Sequence, residues 1–76
     1  RSDFIKQFFD RLLDQIDKLL TKAQNDDVDQ IQIDKGHELI LEIRELLSKN
    51  QINDAKVIFV ELKGLMENIG YSIRIT

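Results

Sequence analysis

The only histidine, His37, is followed by Glu38, and this pair is the first place to look for metal or acid–base chemistry. A metalloprotease helix needs a second histidine four residues on, and Leu41 stands there instead. One imidazole with no cysteine and no spaced partner does not make a zinc site, so no metal is expected. The acidic stretch Asp26, Asp27, Asp29, Asp34 and Glu38 invites a calcium reading. Counted from Asp27, Asp29 and Glu38 fill two later ligand positions, but Ile31 and Gln32 occupy a ligand position and the turn position that requires glycine. Carboxylates at a helix N-terminus, satisfying free N–H groups and the macrodipole, account for the stretch better. Ser2, Ser48 and Ser72 have no glycine-flanked elbow, and Gly36, Gly64 and Gly70 stand alone rather than in a phosphate loop. Neither an enzyme nor a cofactor site is expected within this chain.

Composition narrows the classes further. Eleven basic against 14 acidic residues leave a net charge of −3, which opposes nucleic-acid binding because phosphates need a basic stripe. The absence of cysteine removes disulfides and thiolate chemistry, and with them any sign of an oxidising compartment, so a cytoplasmic location is expected. The longest apolar run, Val57-Ile58-Phe59-Val60, is far short of the ~20 residues of a membrane span. Seventy-six residues make one small domain. The start at Arg1, without methionine or a signal-like segment, predicts a piece of a longer protein.

The elements that would carry these residues are helices. There is no proline, and the apolar residues Ile5, Phe9, Leu12, Ile16, Leu19 and Ala23 step by three and four along one face. Phe4, Phe8, Leu13 and Leu20 widen that stripe, so this helix (about 3–24, with Ser2 as N-cap) must touch more than one neighbour. Asp27 with Gln30 reads as a capping box for a second helix, about 28–48, whose stripe runs through Ile33, Gly36, Ile40, Ile43 and Leu47. A start at Asp34, after an ordered loop, is the alternative. Asn53 reads as the next N-cap, with Ile52 and Val57 as its hydrophobic staple. The third helix, about 54–69, has its stripe at Ala55, Ile58, Leu62, Leu65 and Ile69, and Gly70 stands where a left-handed cap belongs. The tail from Tyr71 to Thr76 alternates apolar and polar and is either a short irregular end or the stump of a further element. The prediction is an all-α, antiparallel three-helix bundle with a long first helix, in which one end of either of the two longer helices can protrude. Its core should include Leu12, Ile16, Leu19, Ile40, Ile43, Leu47, Ile58, Leu62, Leu65 and Ile69.

Phe4, Phe8 and Phe9 are the candidate interaction surface. Phe8 and Phe9 point about 100° apart and cannot share one narrow seam. Either three helices cover both rings, or one side of the first helix docks on another domain or on a second copy, giving a homodimer of the isolated chain.

The stretch Glu38-Leu39-Ile40-Leu41-Glu42-Ile43-Arg44-Glu45-Leu46-Leu47, then Asn53-Asp54-Ala55, then Glu61 to Gly70, resembles the C-terminal helical lid of DnaK-type heat-shock chaperones, the seventy-kilodalton class. In that family a Leu- and Glu-rich helix is followed by a short polar turn, a helix opening near an Asp-Ala pair, and a closing L-x-x-AL-x-x-IG. Leu62, Leu65, Met66, Ile69 and Gly70 fall on the closing pattern, and Asp10 to Ala23 is similar to the end of the preceding long lid helix. Phe59 and Val60 are bulkier than the family's alanine-rich equivalent. The resemblance implies a lid that closes over peptide held in a β-sandwich domain of the same parent chain. By the same resemblance ATP binds in a further domain of the parent; charge and run length, as above, predict no nucleic-acid or membrane partner. The alternative, from the residues alone, is a self-associating helical interaction module.

Overall fold

The computed structural model describes residues 2–72, apart from the side chain of Ser2. Three helices follow one another: α1 (Ser2–Asn25), α2 (Gln30–Ser48) and α3 (Ile52–Asn68), with no strand among the described residues. The chain is an antiparallel three-helix bundle. The Ser2 cap turns on a side chain outside the described residues, as does the tail beyond Ser72.

Each helix stops in the same way. Asp27 (φ 63°), Asn50 (φ 63°) and Gly70 (φ 100°) take left-handed backbone just past the three ends. Beyond them the amide of Val28 donates to Ala23 O, that of Gln51 to Leu46 O, and that of Tyr71 to Met66 O. At the second and third ends the amides of Asn50 and Gly70 also donate to Leu47 O and Glu67 O. These are the six-to-one and five-to-two bonds of a Schellman turn, which satisfy carbonyls the helix leaves unpaired. The bond to Met66 draws Tyr71 back against the bundle, where its hydroxyl donates a long 3.4 Å hydrogen bond to Asp26. Partial burial of the ring, and then the Asp26 charge and hydrogen bond, hold the phenol's pKa above its usual 10.0.

The starts differ from the sequence reading. Asp29, not Asp27, caps α2: its carboxylate accepts from the Ile31 amide at 3.1 Å. Asp27 is unsuited to that role because its left-handed backbone ends the preceding helix. Asn53 is not a cap either, since α3 opens at Ile52 after Gln51, which makes no side-chain capping bond. Val57 is 67% exposed, so the staple with Ile52 does not form.

Side-chain pairs fix the directions. Arg44 reaches Asp10 and Asp14, His37 reaches Asp17, and Gly36 faces Leu20: residue numbers fall along α2 as they rise along α1. Phe9 with Phe59, and Asp26 with Tyr71, rise together, so α1 and α3 run parallel. α2 lies between them and packs closely on both. No Cα of α1 comes within 8 Å of one in α3; side chains alone close that gap, with the Phe9 and Phe59 rings edge-to-face at 5.5 Å. The backbone extents of 39 × 23 × 16 Å describe the resulting flattened bundle.

This arrangement rotates the buried line on the outer helices. On α1 the sealed residues are Phe9, Leu13, Ile16, Leu20 and Ala23, while Leu12 and Leu19 are only half-buried. Leu13 and Leu20 lie on the α2 side, where the backbones approach most closely, and Leu12 and Leu19 border the wider α1–α3 gap. On α3 the sealed residues include Phe59 and Met66, and the expected Ile58 and Ile69 are half-buried. Phe59 turns inward because a large ring is what spans the gap to Phe9. On α2, Ile33, Gly36, Leu39, Ile40, Ile43 and Leu47 are buried, and no buried polar side-chain atom lacks a partner.

Candidate interaction surface

The three candidate phenylalanines separate. Phe9 is buried at 7% exposure, its ring held edge-on by Phe59 and by Phe8 at 6.2 Å. Phe8 is 37% exposed and Phe4 69%, both on the side of α1 away from α2. Twenty-four residues at ~1.5 Å each give α1 a length of about 36 Å, nearly the whole 39 Å long axis. By the antiparallel register that pairs Asp10 with Arg44, Ser48 at the end of α2 lies level with Lys6 and Gln7. The first turn of α1, carrying Phe4, therefore overhangs the end of α2.

Comparison of the chain with family models, with curated proteins and with solved structures returns no match.

The residues weighed for metal chemistry have structural partners instead. His37 Nε2 lies 3.1 Å from Asp17 Oδ1, an exposed link between α2 and α1. Asp29 is a cap, Asp34 accepts from Gln30 at 2.9 Å, and Asp27 holds a turn. No three His, Asp or Glu side chains converge among the described residues.

Arg44 was not singled out by its sequence, yet it makes the shortest polar contacts between helices. Its guanidinium forks across two carboxylates, Nη1 to Asp10 at 2.7 Å and Nη2 to Asp14 at 2.8 Å. Asp10 and Asp14, four residues apart, share one edge of α1 as they must on a helix, and that spacing was the available signal. A shallow indentation of about 260 Å³ beside this fork is lined by Lys6, Gln7, Asp10, Arg44, Leu47 and Ser48. It opens widely to solvent, and the guanidinium on its wall is already occupied.

The cations on the other two helices behave differently. Lys35, His37, Arg44 and Lys49, all on or just after α2, have carboxylate partners within 4.0 Å. Among the described residues, Lys6, Arg11, Lys18 and Lys22 of α1, and Lys56 and Lys63 of α3, have none. Lys56 and Lys63 stand three residues before and four after Phe59, hence on its α1-facing side. Arg11 and Lys22 stand three residues after Phe8 and Leu19 respectively, bordering the exposed apolar strip. Sequence reading missed this pattern because the net charge is negative and the bases are scattered along the chain. They come together only when α1 and α3 lie side by side.

Proposed function

We propose that this chain is a helical lid subdomain of a DnaK-like chaperone, closing as a rigid body over peptide held by a neighbouring domain of the same parent polypeptide. The observation that supports the reading is the apolar surface at the N-terminal end of α1, where the bundle leaves Phe4 69% and Phe8 37% exposed. The residues that resemble the lid family have consistent places: Leu62, Leu65 and Met66 are core, and Gly70 is the left-handed cap of α3. In this reading the chain is not itself an enzyme. Nucleotide and the principal peptide contacts belong to other domains, the setting is cytoplasmic, and the bundle slows peptide release by gating. No described helix is long and apolar enough to cross a membrane. The test removes residues 1–76 from the parent polypeptide and follows dissociation of a fluorescent apolar peptide. Release should quicken several-fold; unchanged release, or a parent without a peptide-binding domain, refutes the lid.

A second reading, a homodimer through the same rings, has the exposure of Phe4 and Phe8 in its favour. Sedimentation at rising concentration separates the two, with F4S/F8S as the control that should restore a monomer only if this reading holds.

A further inference from the structure

The side of the bundle opposite α2 carries an apolar strip and a basic border at once. The strip is Phe4, Phe8, Leu12 and Leu19, spaced so that all lie on the α3 side of α1. Leu12 and Leu19 are half-buried, Phe8 is 37% exposed and Phe4 69% exposed. Below the strip lies the wide α1–α3 gap, floored by the Phe9–Phe59 pair. With Phe9 opposite Phe59, the parallel register sets Lys56 level with the first two turns of α1, near Lys6, and Lys63 level with Leu13, across that gap. Arg11 and Lys22 border the outer edge of the strip. None of Lys56, Lys63, Arg11 and Lys22 has a carboxylate within 4.0 Å among the described residues, in a chain whose net charge is −3.

We infer that the α1–α3 face is a docking trough for an amphipathic helix with acidic flanks, contributed by another polypeptide. A helix laid there would set its apolar stripe on Phe4, Phe8, Leu12 and Leu19 and complete a four-helix arrangement. Its flanking carboxylates would meet Lys56 and Lys63 on one side, and Arg11 and Lys22 on the other. Charge selects this occupant over its rivals. A second copy presenting the same face would bring basic border against basic border. An anionic membrane surface would suit the charge, but the strip lies along a trough between two helices, and Leu12 and Leu19 are too far sunk to insert. The inference stands apart from the lid reading, since it needs no parent domain and concerns the length of the α1–α3 junction rather than the overhanging turn alone.

The probe is a labelled synthetic helical peptide with leucine at heptad a and d positions and glutamate at the flanking ones, compared with a peptide bearing lysine at every glutamate. Fluorescence anisotropy should show the glutamate peptide binding about tenfold or more tightly than the lysine peptide, as several exposed ion pairs acting together allow. The preference should shrink as salt shortens the screening length below about 10 Å. The double variant K56E/K63E should abolish it, since two new carboxylates then oppose the two remaining bases. Lys56 is exposed and Lys63 half-buried, and neither belongs to the core, so helicity by circular dichroism should be unchanged. Lys49→Glu, on the far side of the bundle, should leave binding alone, and Phe8→Ser should weaken both peptides. Equal affinity for the two peptides, or indifference to K56E/K63E with helicity intact, overturns the inference. So does preferential binding to phosphatidylserine vesicles, or a concentration-dependent dimer abolished by Phe8→Ser that the glutamate peptide does not displace.

Discussion

Asp27, Asn50 and Gly70 hold left-handed backbone, and each lets a chain leave its helix with the last carbonyls paired. Only one of the three is glycine. An L-residue in that conformation sets its Cβ against the following carbonyl, a strain that asparagine and aspartate tolerate better than most side chains but do not escape. Asn50→Gly should therefore stabilise the fold by about 0.5–1 kcal/mol, strain relief outweighing the added freedom of the unfolded chain. Gly70→Ala should cost about 1 kcal/mol even though the added methyl meets nothing within 4 Å, because the penalty is in the backbone alone. Urea midpoints of the two variants test this; a lower midpoint for Asn50→Gly would show that the asparagine side chain contributes more than its strain costs. The same scale explains why the acidic stretch misled. A carboxylate in a turn, one on a helix cap and one bonded to Gln30 look alike in sequence, and only the backbone separates their roles.

Between α1 and α2, the approach is set by a missing side chain. A Cβ at Gly36 would lie 2.9 Å from both Leu20 Cδ1 and Cδ2, and Leu20 is fully buried with little room to turn away. Gly36 thus lets α1 and α2 pack tightly, which is why Leu13 and Leu20 are sealed while Leu12 and Leu19 are not. Gly64, inside α3, has open space around it. The two glycines give opposite expectations for one chemical change. Gly64→Ala should gain about 1 kcal/mol from helix propensity. Gly36→Ala has the same gain but an overpacking cost of about 1–3 kcal/mol, for a net loss of about 1 kcal/mol. On a Leu20→Ala background, where the space is free, Gly36→Ala should turn stabilising. Equal stabilisation at both glycines in the parent chain would mean that the helices shift apart at no cost.

Across the whole molecule, α2 is the element on which the others depend. It packs along α3 more extensively than along α1, and α1 meets α3 only through side chains. Stability of roughly 4–11 kcal/mol is the expectation for a chain of this size. Phe9→Ala removes the ring that bridges the outer helices and should cost about 3–5 kcal/mol of that. Hydrogen exchange should then show α1 losing protection before α2 and α3, because regions with fewer buried contacts open at lower free energy. Simultaneous loss across all three helices would instead mark the bundle as one cooperative unit with no weaker edge. The flattened shape underlies the proposed docking face, since a bundle with three equally close pairs would leave no gap between α1 and α3.

Helix number, direction and most of α2 were legible in the sequence, because three- and four-residue apolar steps force one face inward whatever the neighbours are. The left-handed cap at Gly70 was legible for the same local reason: glycine at the end of a stripe has few other uses. Which side of a broad stripe becomes the centre was not. Phe9 rather than its neighbour Phe8, Leu13 rather than Leu12, and Phe59 rather than Ile58 are sealed because of where the facing helix lies, and helical spacing carries no information about that. The same holds for charge. Arg44 found Asp10 and Asp14 at 34 and 30 positions away in sequence, whereas Lys56 and Lys63 found no described partner and came to border the α1–α3 gap. Periodicity is a property of one helix at a time; an interhelical fork, a close-packing glycine and a basic-bordered trough are properties of pairs, and exist only once the tertiary packing has chosen which faces meet.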